Sequence, residues 1–209
     1  MHGTQALVQS LVPEIASYAA GIHAKSEVVL CPPHLWVPAV AQAIRGSFIQ
    51  LGAQDCSPHT SGAFTGEISA AMLAELGCRY VIVGHSERRQ YHGETSAMVA
   101  QKAAAAQACG LIPIVCVGET QRDREAGHAR AVVEQQIRES VPANHDILLA
   151  YEPVWAIGSG QTPQLDDIAQ MHAWILSLVA GVRVLYGGSV KADNAADILS
   201  TEGVAGVLV

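Results

Sequence analysis

The stretch YVIVGHSERR, residues 80–89, places four consecutive apolar residues directly before a cluster of polar and charged ones. A short apolar run rich in β-branched residues predicts a strand that is buried on both faces, as in a parallel sheet. The same form recurs in ILLAYE, residues 147–152, where the strand runs into a glutamate, and in VLYGGS, residues 184–189, where it runs into two glycines and a serine. The fold prediction depends on these polar strand ends.

Apolar strands alternate along the whole chain with Ala-rich stretches of helical periodicity, without a linker or low-complexity break. Seven strands are predicted, at residues 27–30, 48–51, 80–83, 112–117, 147–151, 182–186 and 205–209. Seven helices are predicted, at residues 4–20, 35–44, 67–76, 94–109, 122–140, 166–179 and 192–199.

Buried parallel strands joined by helices define an α/β fold, either a doubly wound sheet or a barrel. The polar residues follow several different strands, since residues 31–33 and 118–119 also lie at strand ends. A closed barrel gathers all such ends around one pocket, whereas an open sheet concentrates them at one switch point. The sequence therefore predicts a (β/α)8 TIM barrel, as a single domain over residues 1–209. Because the chain opens on a helix and stops at a strand, we expect the first strand and last helix of that barrel to be absent from it.

Composition narrows the class of protein. Half of the 209 residues are apolar, 15% are charged and the net charge is -7. The absence of a long Lys/Arg cluster argues against nucleic acid as a partner. Apolar runs of about 4 to 8 residues are too short for a membrane span. Residues 1–10 carry no Lys or Arg before an apolar stretch, so we do not expect them to be a secretory signal. Five widely spaced cysteines without a CxxC pair favour a reducing, cytoplasmic location over a disulfide framework or a zinc site.

Two strand-end residues are candidates for catalysis. His85 follows a strand where a helix can begin, and the positive end of a helix dipole favours a neutral imidazole that donates a hydrogen bond. Glu152 ends another strand and precedes a segment that suits a lid, and exclusion of water would make its carboxylate a stronger base. Taken singly, each is also compatible with a structural role, as a histidine satisfied by a turn and a glutamate paired at the barrel rim.

The turn Gly187-Gly188-Ser189 is a candidate anion site, because glycines let backbone N–H groups approach an anion and a serine adds a hydroxyl donor. On its own, a Gly-Gly-Ser sequence is more often an ordinary connecting turn than a phosphate site. It would follow the seventh strand once a missing first strand is counted, and barrels often bind phosphate with the loops after strands seven and eight.

Residues 84–89, 151–158 and 186–189 together resemble the triosephosphate isomerase family, and the resemblance extends to residues 51–54 and 61–67. The resemblance implies interconversion of dihydroxyacetone phosphate and glyceraldehyde 3-phosphate through an enediolate. It implies that Glu152 abstracts the carbon-bound proton, that His85 polarises the carbonyl and that Glu87 supports the site. It further implies that Gly158, Ser189, Gly187 and Gly188 bind the phosphate, without a metal or an organic cofactor.

The resemblance also implies a homodimer in which the loop from Gln54 to Glu67, with Thr65 near its tip, reaches into the partner subunit. Cys116 matches a family cysteine close to the glutamate and is interpreted as a packing residue.

The family's Asn-x-Lys motif would fall before Met1, and a glycine pair that contacts phosphate would fall after Val209. One alternative is therefore an inactive barrel of the same family that acts as a binding protein. A second is a barrel aldolase, which would need a Schiff-base lysine at a strand end. The three lysines, Lys25, Lys102 and Lys191, do not end predicted strands.

Overall fold

The computed structural model describes residues 2–142, 146–157 and 163–209. The chain divides into two compact units. Unit 1 comprises Met1–Val83 and Ala104–Pro113, and unit 2 comprises Gly84–Ala103 and Ile114–Val209. Two elements, helix α5 (Ser96–Ala108) and strand β4 (Ile112–Val117), have residues in both units.

Unit 1 is built on three parallel strands, each paired with the next one along the chain. The strands are β1 (Val28–Leu30), β2 (Ile49–Ala53) and β3 (Tyr80–Val83), and the helices are α1 (Gln5–Ile22), α2 (Val37–Ala43) and α3 (Ala70–Glu75). Thr4 caps α1 by accepting a hydrogen bond from the Leu7 amide at 3.1 Å, which satisfies one of the unpaired N–H groups at the helix start. All four residues of β3 are buried, as expected for a parallel strand covered on both faces.

Unit 2 contains most of β4, together with β5 (Leu148–Tyr151), β6 (Arg183–Tyr186) and β7 (Gly206–Val207). Each of these strands pairs in parallel with its neighbour along the chain. Its other helices are α4 (Ser86–His92), α6 (Gln121–Glu125), α7 (Ala129–Ser140), α8 (Leu165–Leu178) and α9 (Ala195–Leu199). The register sets Val117 opposite Tyr151 and Tyr151 opposite Tyr186. The residues that follow these three strands, Gly118, Glu152 and Gly187, therefore lie side by side at the carboxyl edge of the sheet.

The observed strands agree with the predicted ones to within one or two residues at most ends, and β7 is shorter than predicted. The prediction of one helix over residues 122–140 is wrong. Two helices, α6 and α7, meet at Gly127, whose φ of +74° is a left-handed conformation that ends a helix. The helix α4 was not among the predicted seven. Among the described residues, no helix is both long and apolar enough to cross a membrane.

Candidate active site

Glu152 and His85 form the centre of the candidate site. Glu152 directly follows β5, His85 lies two residues after β3, and the His85 Nε2 atom is 2.8 Å from the Glu152 Oε1 atom. Glu152 is 1% exposed, although a glutamate is rarely buried unless its charge is compensated. The two residues that the sequence assigned to separate strand ends are therefore in direct contact.

Ser86 contributes two further hydrogen bonds to the same carboxylate. Its backbone amide donates to Glu152 Oε2 at 2.9 Å, and its hydroxyl donates to Oε1 at 3.4 Å. The amide belongs to the first turn of α4, where N–H groups have no partner within the helix and favour an anion. The start of α4 thus holds the buried carboxylate.

The hydrogen bonds of His85 assign its tautomer. The Glu87 amide donates to His85 Nδ1 at 3.3 Å, so Nδ1 carries the lone pair and a neutral ring carries its proton on Nε2, where it donates to Glu152. Burial lowers the pKa of His85, but the hydrogen bond and the charge of Glu152 outweigh burial, and the net direction is upward. Contact with the glutamate therefore opposes the neutral form that the helix dipole was expected to favour.

Glu87 is placed differently from the other two candidates. Its side chain is 69% exposed, and Oε2 lies 3.9 Å from His85 Nδ1, beyond hydrogen-bonding distance. Glu87 contacts the site through its backbone amide, which orients the His85 ring.

The candidate phosphate turn follows β6. A Cβ atom at Gly187 would lie 3.0 Å from Glu152 Cγ, so the absence of a side chain leaves room for the glutamate. The Gly187 amide donates to the Tyr151 carbonyl at 2.8 Å, so this N–H group is engaged in the sheet. The Ser189 hydroxyl donates to the Ala156 carbonyl at 3.0 Å. Gly158 lies outside the described residues.

A side chain at Gly188 would displace the ring of Tyr186. A Cβ atom there would lie 2.2 Å from the Tyr186 hydroxyl oxygen. Burial raises the pKa of Tyr186 to about 12, so this phenol stays neutral beneath the turn.

The Arg89 side chain connects Gly84 to the end of β4 through hydrogen bonds, a role that the sequence did not suggest. Its guanidinium donates to the Gly84 carbonyl at 2.9 Å and to the Cys116 carbonyl at 3.1 Å. It also donates to the hydroxyls of Ser96 and Ser140. One side chain thus ties the chain before His85 to the end of β4. Cys116 itself is fully buried.

Glu119 is a second residue that sequence reasoning passed over as only a strand end. It is fully buried and accepts hydrogen bonds from Trp155 Nε1 at 2.8 Å and the Tyr151 hydroxyl at 3.1 Å. Burial raises its pKa, and these hydrogen bonds offset that effect only in part. The signal that could have marked it is a glutamate two positions after the apolar strand β4.

A cavity of about 600 Å³ lies beside Glu152. Its walls include Ser86, Arg89, Gly118, Gln136, Glu152 and Trp155. Within residues 2–142, 146–157 and 163–209, His, Cys, Asp and Glu side chains do not form a group of three or more that could hold a metal ion.

Comparison with known proteins identifies the family. The family model described as triosephosphate isomerase matches residues 1–209. A triosephosphate isomerase of Xanthobacter flavus is 48% identical over 208 residues, covering 94% of this chain and 84% of that protein. One from Granulibacter bethesdensis is 44% identical over 221 residues, covering all of this chain and 89% of that protein. The crystal structure of the triosephosphate isomerase from Bartonella henselae matches with a TM-score of 0.88 at 37% identity, covering 100% of this chain and 88% of that one.

The parallel strands, alternating helices and strand-end site define a member of the (β/α)8-barrel class of enzymes. The predicted fold class is thereby confirmed. Within that class, the chain belongs to the triosephosphate isomerase family.

Proposed function

We propose that this protein interconverts dihydroxyacetone phosphate and glyceraldehyde 3-phosphate by proton transfer through an enediolate. The observation that carries the proposal is the buried carboxylate of Glu152 in contact with the Nε2 atom of His85 at 2.8 Å. A base and a hydrogen-bond donor in direct contact suit the removal of a proton from the carbon next to a carbonyl. The reaction links the two triose phosphates in both the breakdown and the synthesis of sugar.

Glu152 acts in this proposal as the base that moves the proton between the two carbons. The residue is 1% exposed, and a site closed to water limits the loss of the transferred proton to solvent. The three hydrogen bonds from Ser86 and His85 compensate the charge before substrate arrives. Substrate would have to replace some of them as it approaches.

His85 acts as the electrophile, because its Nε2–H group can donate to the carbonyl oxygen and stabilise the charge that develops there. The tautomer required is the one that the Glu87 amide selects. A glutamate base with a neutral histidine donor is the pairing already known for this family. Glu87 supports the site by orienting the ring.

The phosphate is proposed to bind at the turn after β6, through Ser189 and Gly188, and at Gly158. The Ser189 hydroxyl lies beside Ala156, which places the turn next to the segment that leads to Gly158. The proposed role of Gly187 is to make room for Glu152 rather than to bind phosphate. Its amide is engaged with the Tyr151 carbonyl, and it has no side chain to contact the glutamate. Chemistry of this kind needs neither a metal nor an organic cofactor.

We also propose a homodimer formed through the loop from Gln54 to Glu67. Residues 59–67 are all exposed, and Phe64 stacks on His59 with ring centres 3.8 Å apart. An exposed aromatic on a loop stiffened by stacking is suited to an interface.

A cytoplasmic location is proposed from the five cysteines, which form no disulfide within the described structure.

The activity is tested with Glu152→Gln, which keeps the shape of the side chain and removes the base. We expect kcat to fall by about 10²- to 10⁴-fold in a coupled assay of triose phosphate interconversion. Glu75→Gln, at an exposed glutamate that ends α3, is the matched control and should match the wild-type rate. Wild-type protein without turnover, or a Glu152→Gln variant with full turnover, would refute the proposed function.

A further inference from the structure

The side-chain amide of Gln136, on α7, binds both backbone groups of a single residue. The Gly118 amide donates to Gln136 Oε1 at 2.8 Å, and Gln136 Nε2 donates to the Gly118 carbonyl at 3.0 Å. These two bonds use the amide's acceptor and one of its donors in opposite directions, so they fix its orientation as well as its position. Gln136 therefore holds Gly118 in one place relative to α7.

Gly118 in turn lies directly against the backbone of Glu152. A Cβ atom at position 118 would fall 1.7 Å from the Glu152 carbonyl oxygen and 2.7 Å from its carbonyl carbon. Both distances are far below any real contact of a Cβ atom, so only glycine fits here. A displacement of Gly118 toward β5 would push on Glu152 itself.

The residues around Gly118 hold the Glu152 segment at two more points. The Glu152 amide donates to the Val117 carbonyl at 2.8 Å, and the Val154 amide donates to the Glu119 carbonyl at 3.2 Å. The backbone of residues 117–119 thus fixes the backbone position of residues 152–154. From this fixed backbone, the side chain of Glu152 extends to His85.

We propose that Gln136 is a positioning residue for the isomerase reaction, which sets the Glu152 carboxylate at its working distance by clamping Gly118. Gln136 acts through two backbone hydrogen bonds to Gly118 and the close contact of Gly118 with the Glu152 backbone. The inference rests on the proposed function, because it takes Glu152 to be the base. A displacement of about 1 Å in a reacting group can cost about 10²-fold in rate, so the loss of a remote clamp is measurable.

The test compares Gln136→Met with Gln135→Met. Methionine fills a similar volume without an amide. Gln135 is an exposed neighbour on the same helix, and its amide donates to Glu139 at 2.9 Å. We expect Gln136→Met to lower kcat by about 10- to 100-fold with KM within about twofold, since the phosphate turn is untouched. Gln135→Met should keep the wild-type kcat and KM. Both variants are assayed well below their melting temperatures.

Gln136→Glu supplies a readout that a purely structural role would not produce. A carboxylate can accept from the Gly118 amide but cannot donate to its carbonyl, whereas a protonated carboxyl can do both. We expect the activity of Gln136→Glu relative to wild type to recover as the pH falls, and that of Gln136→Met to show no such recovery.

A measurement on His85 is independent of turnover. In protein labelled with ¹⁵N at histidine, the His85 ring signals report its hydrogen bond to Glu152. We expect them to shift in Gln136→Met and to stay in place in Gln135→Met. Unchanged kcat in folded Gln136→Met would overturn the inference. If the wild-type protein proved inactive, the proposed function would fail, and the His85 signals alone would then decide whether Gln136 positions Glu152.

Discussion

At the scale of single residues, His172 is the clearest case of a titratable side chain held in one form by burial. It lies on α8 with 0% exposure, and its Nδ1 atom is 3.1 Å from the Gly203 carbonyl oxygen. A carbonyl only accepts, so Nδ1 carries the proton. Within the described structure, Nε2 is buried without a hydrogen-bond partner. Burial lowers the pKa of His172 from 6.5, and the hydrogen bond to Gly203 offsets this only in part.

This burial predicts a loss of stability in acid. Below pH 6.5, the ordinary pKa of histidine, His172 is protonated in the unfolded chain but stays neutral in the folded one. The free energy of unfolding therefore decreases as the pH falls through that value. The contribution is at most about 1.4 kcal/mol per pH unit. Urea unfolding at about pH 8 and about pH 5.5 should show a smaller decrease for His172→Gln than for wild type.

The matched control is His2→Gln, at an exposed histidine near the start of the chain, which should keep the wild-type decrease. Equal decreases in wild type and His172→Gln would show that this histidine does not govern the acid response.

The sequence identified the strand-end residues of the site but not the atoms that pair. His85 and Glu152 were identifiable because each interrupts an apolar pattern at a strand end. Ser86 and Gln136 were not, since Ser86 reads as a helix start and Gln136 as one polar residue on an amphipathic helix. Their contacts depend on side-chain and backbone distances of about 3 Å, which periodicity does not encode. The roles of the site residues stay predictions until the variants are measured.

At the scale of elements, a cluster of three charged side chains, Arg88, Glu94 and Lys102, connects α4 to α5. Lys102 and Glu94 are 3% and 6% exposed, and the Lys102 Nζ atom is 2.5 Å from Glu94 Oε1. Arg88 Nε lies 2.6 Å from the same oxygen. Burial raises the pKa of Glu94, but Lys102 and Arg88 outweigh burial, and the net direction is downward. The cluster therefore keeps a buried carboxylate ionised between the two helices.

Lys102→Met should destabilise the protein by about 3 kcal/mol, because removing one partner leaves a buried charge less compensated. The free energy of unfolding, measured by urea titration at neutral pH, checks this. Lys25→Met, at an exposed lysine after α1, is the control and should change stability by less than about 0.5 kcal/mol. A Lys102→Met variant as stable as the control would show that the ion cluster contributes little.

Helix boundaries followed the sequence where local chemistry decides them. Thr120 caps α6 through a capping box with Asp123, a pattern visible in the sequence. The break at Gly127 was missed, because a glycine inside a helical period can be tolerated at moderate cost. The sequence predicts a helix start after His85 but no full helix there, because polar residues fill α4. The hydrogen bonds from Ser86 to Glu152 give this helix a tertiary role.

At the scale of the whole molecule, the proposed homodimer is tested at the loop from Gln54 to Glu67, whose residues 59–67 are exposed. Thr65→Arg adds a bulky charge at the loop tip and should convert a dimer to a monomer, because an interface core excludes an unpaired charge. Sedimentation equilibrium gives the mass directly, and kcat should fall with it. Ser177→Arg, at an exposed position on α8, should remain dimeric. A monomeric wild type, or a dimeric Thr65→Arg, would contradict the loop assignment.

The fold class was predictable because alternation of strand and helix leaves few topologies. Buried β-branched strands indicated a parallel sheet, and polar ends on several strands indicated the (β/α)8 class, which the comparison confirms. The assignment of residues 1–209 to one domain stays a prediction. Contacts between distant residues, such as Arg89 with Cys116, could not be predicted because sequence spacing does not determine them.

The register of β4, β5 and β6 also limits how this chain can change in length. Tyr151 pairs with Val117 on one side and Tyr186 on the other, so one residue inserted into any of the three strands would break the alignment of Gly118, Glu152 and Gly187. An insertion in the connection after α7 would leave that alignment intact. Length variation compatible with activity is therefore expected between a helix and the next strand, while a single-residue deletion inside β5 should abolish activity even when every side chain of the site is retained.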